Sequence, residues 1–367
     1  MEHGRHAIAE AGGWWGELDT ALGEPLVLGR NVVHEGPCSR DAVIAARGTS
    51  TFVPYRTAAS SRAELEGSCI RDTTVRAARM ELADGGLLGP AVDVEPVLRE
   101  EREALVRLLA ELDGDAWDAP TPCPAWSVHE LTVHLVHDDL RRLSGDRDGH
   151  TGAWVDASSL DRLVAGLDQL NEQWVEAMVP TLSPRLTREL LQWSAGPTEE
   201  HLLGRDPDAL ESSVAWAGSG PHPNWLDVAR EYTERWVHQQ QIREAVGRPG
   251  LIDERFAAPV VETFARGLPA VLPPAAGSEQ VVAVRVTGPF ERSWTLGSGP
   301  SGWRFITTTS DLASTVVELP VDAFWRRAVR MIGRHEVEQA AESDGDGEVV
   351  DAVLDLRAAI VQDVLPA

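Results

Sequence analysis

Leu98, Leu105, Leu108, Leu109 and Leu112 recur along VLREEREALVRLLAEL with charges between them, a spacing that predicts an amphipathic helix over 97–112. The next helix is announced by its start signal. Ser127 and Glu130 stand three apart as a capping box, with Trp126 and Leu131 placed to close a hydrophobic staple. From about Val128 this helix runs to the Arg141–Arg142 pair, whose charge suits the negative end of the helix dipole. Its apolar stripe is Val128, Leu131 and Leu135; His134 lies beside the stripe, and His129 and His137 are expected to point toward solvent. SLDRLVAGLDQLNEQWVEAMV (159–179) predicts a third helix closed by Pro180, followed by a shorter one at TRELLQW and a looser stretch up to GPHPNW. A long helix then starts near Asn224, packs along Leu226, Ala229, Thr233, Trp236, Val237 and Gln240, and ends where Gly247 and Pro249 give a C-cap and a breaker.

Beyond about residue 251 the pattern changes. FAAPVVETFARGLPAVL reads as a helix, whereas QVVAVRVTG, ERSWTLGSG, GWRFITTT and TVVELPV are short β-branched or aromatic runs between Gly, Pro and Ser, hence strands. DAFWRRAVRMIG and VVDAVLDLRAAIVQDV close the chain as helices. The prediction is an α+β protein: an extension over 1–89, a helical bundle over 90–250 and an α+β domain over 251–367.

Charge sharpens the first boundary. Residues 1–79 hold ten acids and nine arginines, net −1, so the whole-chain charge of −25 leaves −24 for the rest. The first segment also lacks sustained periodicity, which predicts either a disordered extension or upstream sequence before a true start at Met80. So acidic a chain is not expected to bind nucleic acid. No apolar run approaches the roughly 18 residues of a membrane span. Cys38, Cys69 and Cys123 are too few and scattered for a disulfide scaffold, and a reducing cytoplasm fits them. All 33 basic residues are arginine, as in a GC-rich coding sequence.

The candidate chemistry lies on two of the helices. Glu234 and His238 stand four apart, on one helix face with Cβ atoms about 6 Å apart, close enough for a carboxylate and an imidazole to share one metal ion. Alone they also read as a surface pair, and His134 alone as a packed core histidine. Together, two histidines and one carboxylate from two helices make a three-ligand set with vacancies, the pattern of catalytic zinc or non-haem iron. Asp138 and Gln241 are candidates to fix the tautomers of His134 and His238, or else belong to solvated faces. Trp126 and Trp236 are candidate walls of the pocket, Cys123 reads as a small packed thiol, and Arg292 and Arg304 either bind a substrate carboxylate or are ordinary surface arginines.

PTPCPAWSVHELTVHL, followed about a hundred residues later by EYTERWVHQQQIREAVGRPG, resembles the mycothiol-dependent maleylpyruvate isomerase family, related to the DinB-like metal-binding four-helix bundles. The likeness covers roughly residues 90–250, and more loosely the strand-rich tail, which resembles that family's sterol-carrier-like C-terminal domain. It places the family's ligands on His134, Glu234 and His238; the glycine often found between Pro and Trp is Ala125 here. The resemblance implies a divalent metal, most simply zinc, with mycothiol as a thiol cosubstrate. The activity implied is thiol-assisted cis–trans isomerisation or thiol transfer to a small electrophile, carried out by a monomer. The competing readings are a non-catalytic metal-binding module and a metal-hydroxide hydrolase.

Overall fold

The computed structural model describes residues 86–358, apart from 124–125, 151, 153–154, 156–158, 275–279 and 308–311. The expectations for residues 1–85, an extension and a start at Met80, lie outside the described residues.

Helix α1 (Glu95–Ala110) buries Val97, Leu98, Leu105, Leu108 and Leu109, the face set by the leucine spacing. After a single turn, α2 (Gly114–Trp117), α3 (Val128–Arg141) begins at its capping box: the Ser127 N–H donates to Glu130 Oε2 at 2.7 Å and the Glu130 N–H donates to Ser127 Oγ at 3.4 Å. Past Arg141 the helix widens to π geometry over Arg142–Arg147. The third predicted helix is α4 (Leu160–Met178). The short helix expected at TRELLQW is longer than its local text allows, because α5 (Pro184–Leu203) continues through Gly196 and Pro197. Thr187, Leu191, Ser194, Thr198 and Leu202 fall at helical spacing and are buried, and the burial of that face outweighs the missing N–H of Pro197. A two-stranded antiparallel pair, β1 (Leu210–Ser212) and β2 (His222–Pro223), leads into α6 (Asn224–Ala245). Gly247 follows α6 with φ +63°, the left-handed conformation that terminates a helix.

Helix α1 packs on α5 and α6, α3 packs on the same two helices, and α4 lies against α3. The helices with the candidate ligands are therefore surrounded: ten of the 14 residues of α3 and fifteen of the 22 of α6 are buried. This corrects the expectation that His129 and His137 face solvent. His129 Nε2 meets Thr187 Oγ1 at 3.1 Å, and the His137 ring stacks on Trp174 at 4.5 Å and 6°. With α4, α5 and α6 packed against it, α3 leaves Glu130, Asp138, Leu140 and Arg141 as its open or partly open positions, and His129 and His137 are not among them.

The rest of the chain is the expected mixed α and β text. α7 (Glu254–Ala265) and the one-turn α8 (Leu268–Val271) precede β3 (Val281–Thr287), β4 (Arg292–Gly299), β5 (Gly302–Phe305) and β6 (Thr315–Pro320). Then come α9 (Val321–Ala328), α10 (Arg334–Ala340), β7 (Glu342–Asp344) and α11 (Gly347–Leu354). The strand order is β5-β4-β3-β6-β7, with β3 and β6 parallel and the other neighbours antiparallel. α10 and β7 are additional to the elements that patterning predicts, and β7 is fully exposed, so no apolar alternation marks it. One apolar core runs from α6 and α7 into the sheet, and a second fills the bundle around Leu105, Leu131, Leu135 and Leu191. Trp236 anchors α6 to the first core: its Nε1–H donates to the Leu251 carbonyl at 2.8 Å, and its ring meets Trp325 edge-on at 5.1 Å. Among the described residues no helix is long and apolar enough to cross a membrane.

Candidate metal centre

α3 and α6 run in opposite directions, since His134 lies against His238 while Arg142, two turns later, lies against Asp227 and Glu231. Their facing sides bring His134, Glu234 and His238 together, with one ligand atom from each within 4.8 Å of the others. His238 Nε2 stands 2.9 Å from Glu234 Oε1, and His134 Nε2 stands 3.4 Å from the same oxygen. The imidazole rings are nearly perpendicular, with centroids 5.0 Å apart. His134 is buried, while Glu234 and His238 keep 32% and 12% of their side chains exposed, so the cluster opens to solvent on the α6 side.

Each ring is held differently. The His238 Nδ1–H donates to Gln241 Oε1 at 2.7 Å, so a neutral His238 presents the lone pair of Nε2 to Glu234. Gln241 thus stands where the i,i+3 spacing puts it. His134 Nδ1 is buried without a hydrogen-bond partner, and the ring is held by Trp126, 4.8 Å away and tilted by 32°. Asp138 does not take the tautomer-fixing position, because its Oδ2 lies 3.3 Å from Nε2 of His134, the nitrogen that also faces Glu234. One Nε2 proton can be shared between the two carboxylates only as a long three-centre bond, at 3.3 and 3.4 Å, and a lone pair 2.9 Å from a carboxylate oxygen needs a proton or a metal ion between them.

The electrostatics follow. Burial alone would lower the His134 pKa, but the Asp138 and Glu234 carboxylates outweigh it and raise it. Burial pushes Glu234 up, yet His238 and His134 together hold its carboxyl well below the usual range. Burial pushes Asp138 up to about 6, against the pull of His134 and with the neighbouring carboxylates of Glu234 and Glu231 adding to the rise. The donor set fits a divalent ion. With bonds of about 2.05 Å, neighbouring ligand atoms lie about 2.9 Å apart at right angles and about 3.3 Å apart in a tetrahedron; the two edges from Glu234 Oε1 are 2.9 and 3.4 Å, and the third, between the imidazoles, is within 4.8 Å.

The other sequence candidates fall outside this cluster. Trp236 is core and not pocket wall, for its ring is spent on Trp325 and Leu251. Cys123 packs at the edge of the bundle core. Arg292 pairs with Glu254 at 3.0 Å and with Glu262 at 3.3 Å, and Arg304 lies over Gly299 in its own hairpin. Arg292 does line a cleft of about 480 Å³ between Pro90–Asp93, α7 and β4, but none of the three clustered residues borders it. The feature that patterning missed is a buried layer of charge one to two turns along the same helices. Asp139 accepts both Nη groups of Arg102, at 2.7 and 3.2 Å, as well as Arg235 Nη2 at 3.2 Å and Ser194 Oγ at 2.6 Å. Arg142 reaches Asp227 at 2.7 Å and Glu231 at 3.1 Å. Its trace in the sequence is the run of charged residues at stripe-like spacing, Asp227, Glu231 and Arg235, which periodicity of apolar residues cannot flag.

Comparison with known proteins gives these helices relatives. Residues 98–243 match the family described as the mycothiol maleylpyruvate isomerase N-terminal domain. Two uncharacterized proteins, from two strains of Mycobacterium tuberculosis, are each 26% identical over 229 residues, which span 60% of this chain and 83% of theirs. Crystal structures of the mycothiol-dependent maleylpyruvate isomerase, one of them a histidine-to-alanine mutant, align over 68% of this chain and 91% of theirs, at 12% and 13% identity and a TM-score of 0.41.

Proposed function

We propose that this chain, which belongs through residues 98–243 to the family of the mycothiol maleylpyruvate isomerase N-terminal domain, is a metal-dependent enzyme that uses mycothiol as its thiol cosubstrate. The observation that supports the reading is the convergence of His134 Nε2, Glu234 Oε1 and His238 Nε2 within 4.8 Å on two packed helices. These three residues would hold the ion, with zinc the natural occupant of a two-imidazole, one-carboxylate set that keeps open positions. A divalent ion in that place favours thiolate over thiol, and thiolate is the competent nucleophile. Gln241 keeps the Nε2 of His238 turned toward the site by accepting its Nδ1 proton, and Trp126 keeps the His134 ring from swinging away. Both act before any substrate arrives, so the site is preorganised by packing and one hydrogen bond. The partial exposure of Glu234 leaves a side from which a small electrophile can approach. The reaction class is addition of a thiol to an activated double bond or other electrophile, ending either in elimination to the trans isomer or in a retained thioether.

Elemental analysis of the purified protein should find about one equivalent of divalent metal, lost in His134→Ala, Glu234→Ala and His238→Ala. Turnover of maleylpyruvate or a panel of electrophiles should require both metal and thiol. Unchanged metal content in those variants, or turnover with no thiol present, would remove this reading; the second result would point instead to a hydrolase.

A further inference from the structure

Resting on the metal reading above, we propose that Asp138 is a fourth protein ligand to the same ion, making the site a two-histidine, two-carboxylate centre. The geometry carries the inference. Asp138 Oδ2 lies 3.3 Å from His134 Nε2, close to the tetrahedral edge length, as does Glu234 Oε1 at 3.4 Å from the same nitrogen. A carboxylate that only orients a ligating histidine sits on the ring nitrogen away from the ion. Here that nitrogen, Nδ1 of His134, is buried and has no partner, while the carboxylate stands on the ligating side. Among the described residues Asp138 has no arginine at ion-pair distance: its one ion-pair contact is His134, and the other charges that act on it are the carboxylates of Glu234 and Glu231 and, more weakly, the Arg141 guanidinium. Helix spacing makes the approach easy, since positions 134 and 138 are one turn apart and Asp138 retains 19% of its side-chain surface.

A second carboxylate changes what the centre selects. Two oxygen donors beside two imidazoles shift preference away from thiolate-loving ions and toward harder ones relative to a three-ligand set. They also leave a small-molecule thiol room on the ion only if the coordination number exceeds four.

Cobalt(II) loading tests this with a signal that does not depend on turnover. In Asp138→Cys, a sulfur within ligating reach produces a thiolate-to-cobalt charge-transfer band in the near ultraviolet that the wild-type protein lacks. In Asp138→Asn, cobalt affinity should fall by more than about 100-fold, beyond what removal of a merely supporting group costs, and the visible cobalt bands should change shape. Both variants are compared with wild type for cooperative melting without metal. If Asp138→Cys does not fold, Asp138→Asn decides alone. Cobalt affinity and visible spectrum like those of wild type in Asp138→Asn, or cobalt bound to Asp138→Cys with no charge-transfer band, overturn the proposal. The metal reading fails separately, and this proposal with it, if wild type takes up no cobalt or if His134→Ala and His238→Ala take it up as wild type does.

Discussion

Two clusters of buried charge share α3 and α6, and they are built on opposite rules. In the layer around Asp139 and Asp227 each carboxylate faces guanidinium groups: Asp139 meets Arg102 and Arg235, Asp227 meets Arg142 and Arg205, and Glu231 meets Arg142. On the adjoining positions of the same helices, Glu234 and Asp138 face imidazoles, and no arginine comes within ion-pair distance of either among the described residues. Arginine stays charged at every accessible pH and offers five donors in a rigid fork, so it closes a charge cluster permanently. Imidazole can give up its proton and present a lone pair, so it leaves a cluster that an added cation can complete. Under the proposed function, the same pair of helices holds a layer that is finished by folding and a site that a cation would finish.

The largest effect should come from breaking the finished layer. Asp139→Ala leaves Arg102 and Arg235 buried without their shared carboxylate, and removal of one partner from a buried pair costs about 3–5 kcal/mol. Urea unfolding of the metal-free protein should show that loss as a lower midpoint with an unchanged slope. A loss under about 1 kcal/mol would mean that water reaches the layer and that folding does not close it.

A nearly equal effect is expected from acid, through a residue on the α4 side of α3. Burial, helped by Arg141 and His134, lowers the His137 pKa from 6.5 to about 4. Between those values the unfolded chain binds a proton that the folded chain refuses, so stability is intact above pH 6.5 and is lost as pH falls toward 4. At 1.36 kcal/mol for each pH unit the loss approaches about 3 kcal/mol. His134 acts in the opposite sense in the metal-free protein, because its raised pKa gives stability that disappears as pH rises through it. Thermal melts of His137→Phe, which keeps a ring against Trp174, should show a shallower decline from pH 6.5 to 4 than wild type. An identical decline would assign the acid sensitivity to other groups.

Much of this was legible in the sequence, and the part that was not has a physical reason. Ser127 and Glu130 gave the start of α3 because a capping box is a local bargain among four residues. His134, Glu234 and His238 could be picked out because helical spacing fixes which side chains share a face and because the family motif supplied the link between helices. Helix α5 ran past its local text because its stability comes from Leu191, Thr198 and Leu202 packing against other helices. The Arg102–Asp139–Arg235 layer was invisible for a similar reason: burial of a charge depends on partners 37 and 96 residues away, and no periodicity encodes them. Asp138 was singled out by spacing, but spacing alone cannot tell which nitrogen of His134 it faces.

Adding the cation should sharpen the contrast by somewhat less. Zinc at 100 times its dissociation constant should stabilise wild type by about 2.7 kcal/mol, read as a rise in Tm, and should leave the melting of His238→Ala unmoved. The Asp139→Ala protein, if folded, should still gain from zinc, since its lesion lies in the other cluster. Smaller again is the effect of the hydrogen bond behind His238: Gln241→Ala should weaken metal binding about 10–100-fold and, because Gln241 is buried and its bond to His238 is lost, lower the stability of the metal-free fold by about 1 kcal/mol. A metal affinity equal to that of wild type would show that His238 is oriented by packing alone.

The smallest effect has the most telling sign. In the metal-free protein at pH 8, Asp138 is ionised against its environment, since burial and the carboxylates of Glu234 and Glu231 lift its pKa to about 6. A carboxyl raised above its unfolded value contributes stability that is present at low pH and is lost as pH climbs through the folded value. Asp138→Asn removes that charge while keeping the shape and one carbonyl oxygen to accept from His134. Its metal-free form should therefore melt higher than wild type at pH 8, by the equivalent of about 0.5–1 kcal/mol, as happens when a residue kept for function is replaced by one suited to the fold. The advantage should vanish near pH 4, where the wild-type carboxyl is protonated too. Zinc should then reverse the order, because wild type gains more from the ion than the variant does. A variant less stable than wild type at pH 8 without metal would place Asp138 with Asp139 and Asp227, as a structural charge that the fold needs whether or not a cation is bound.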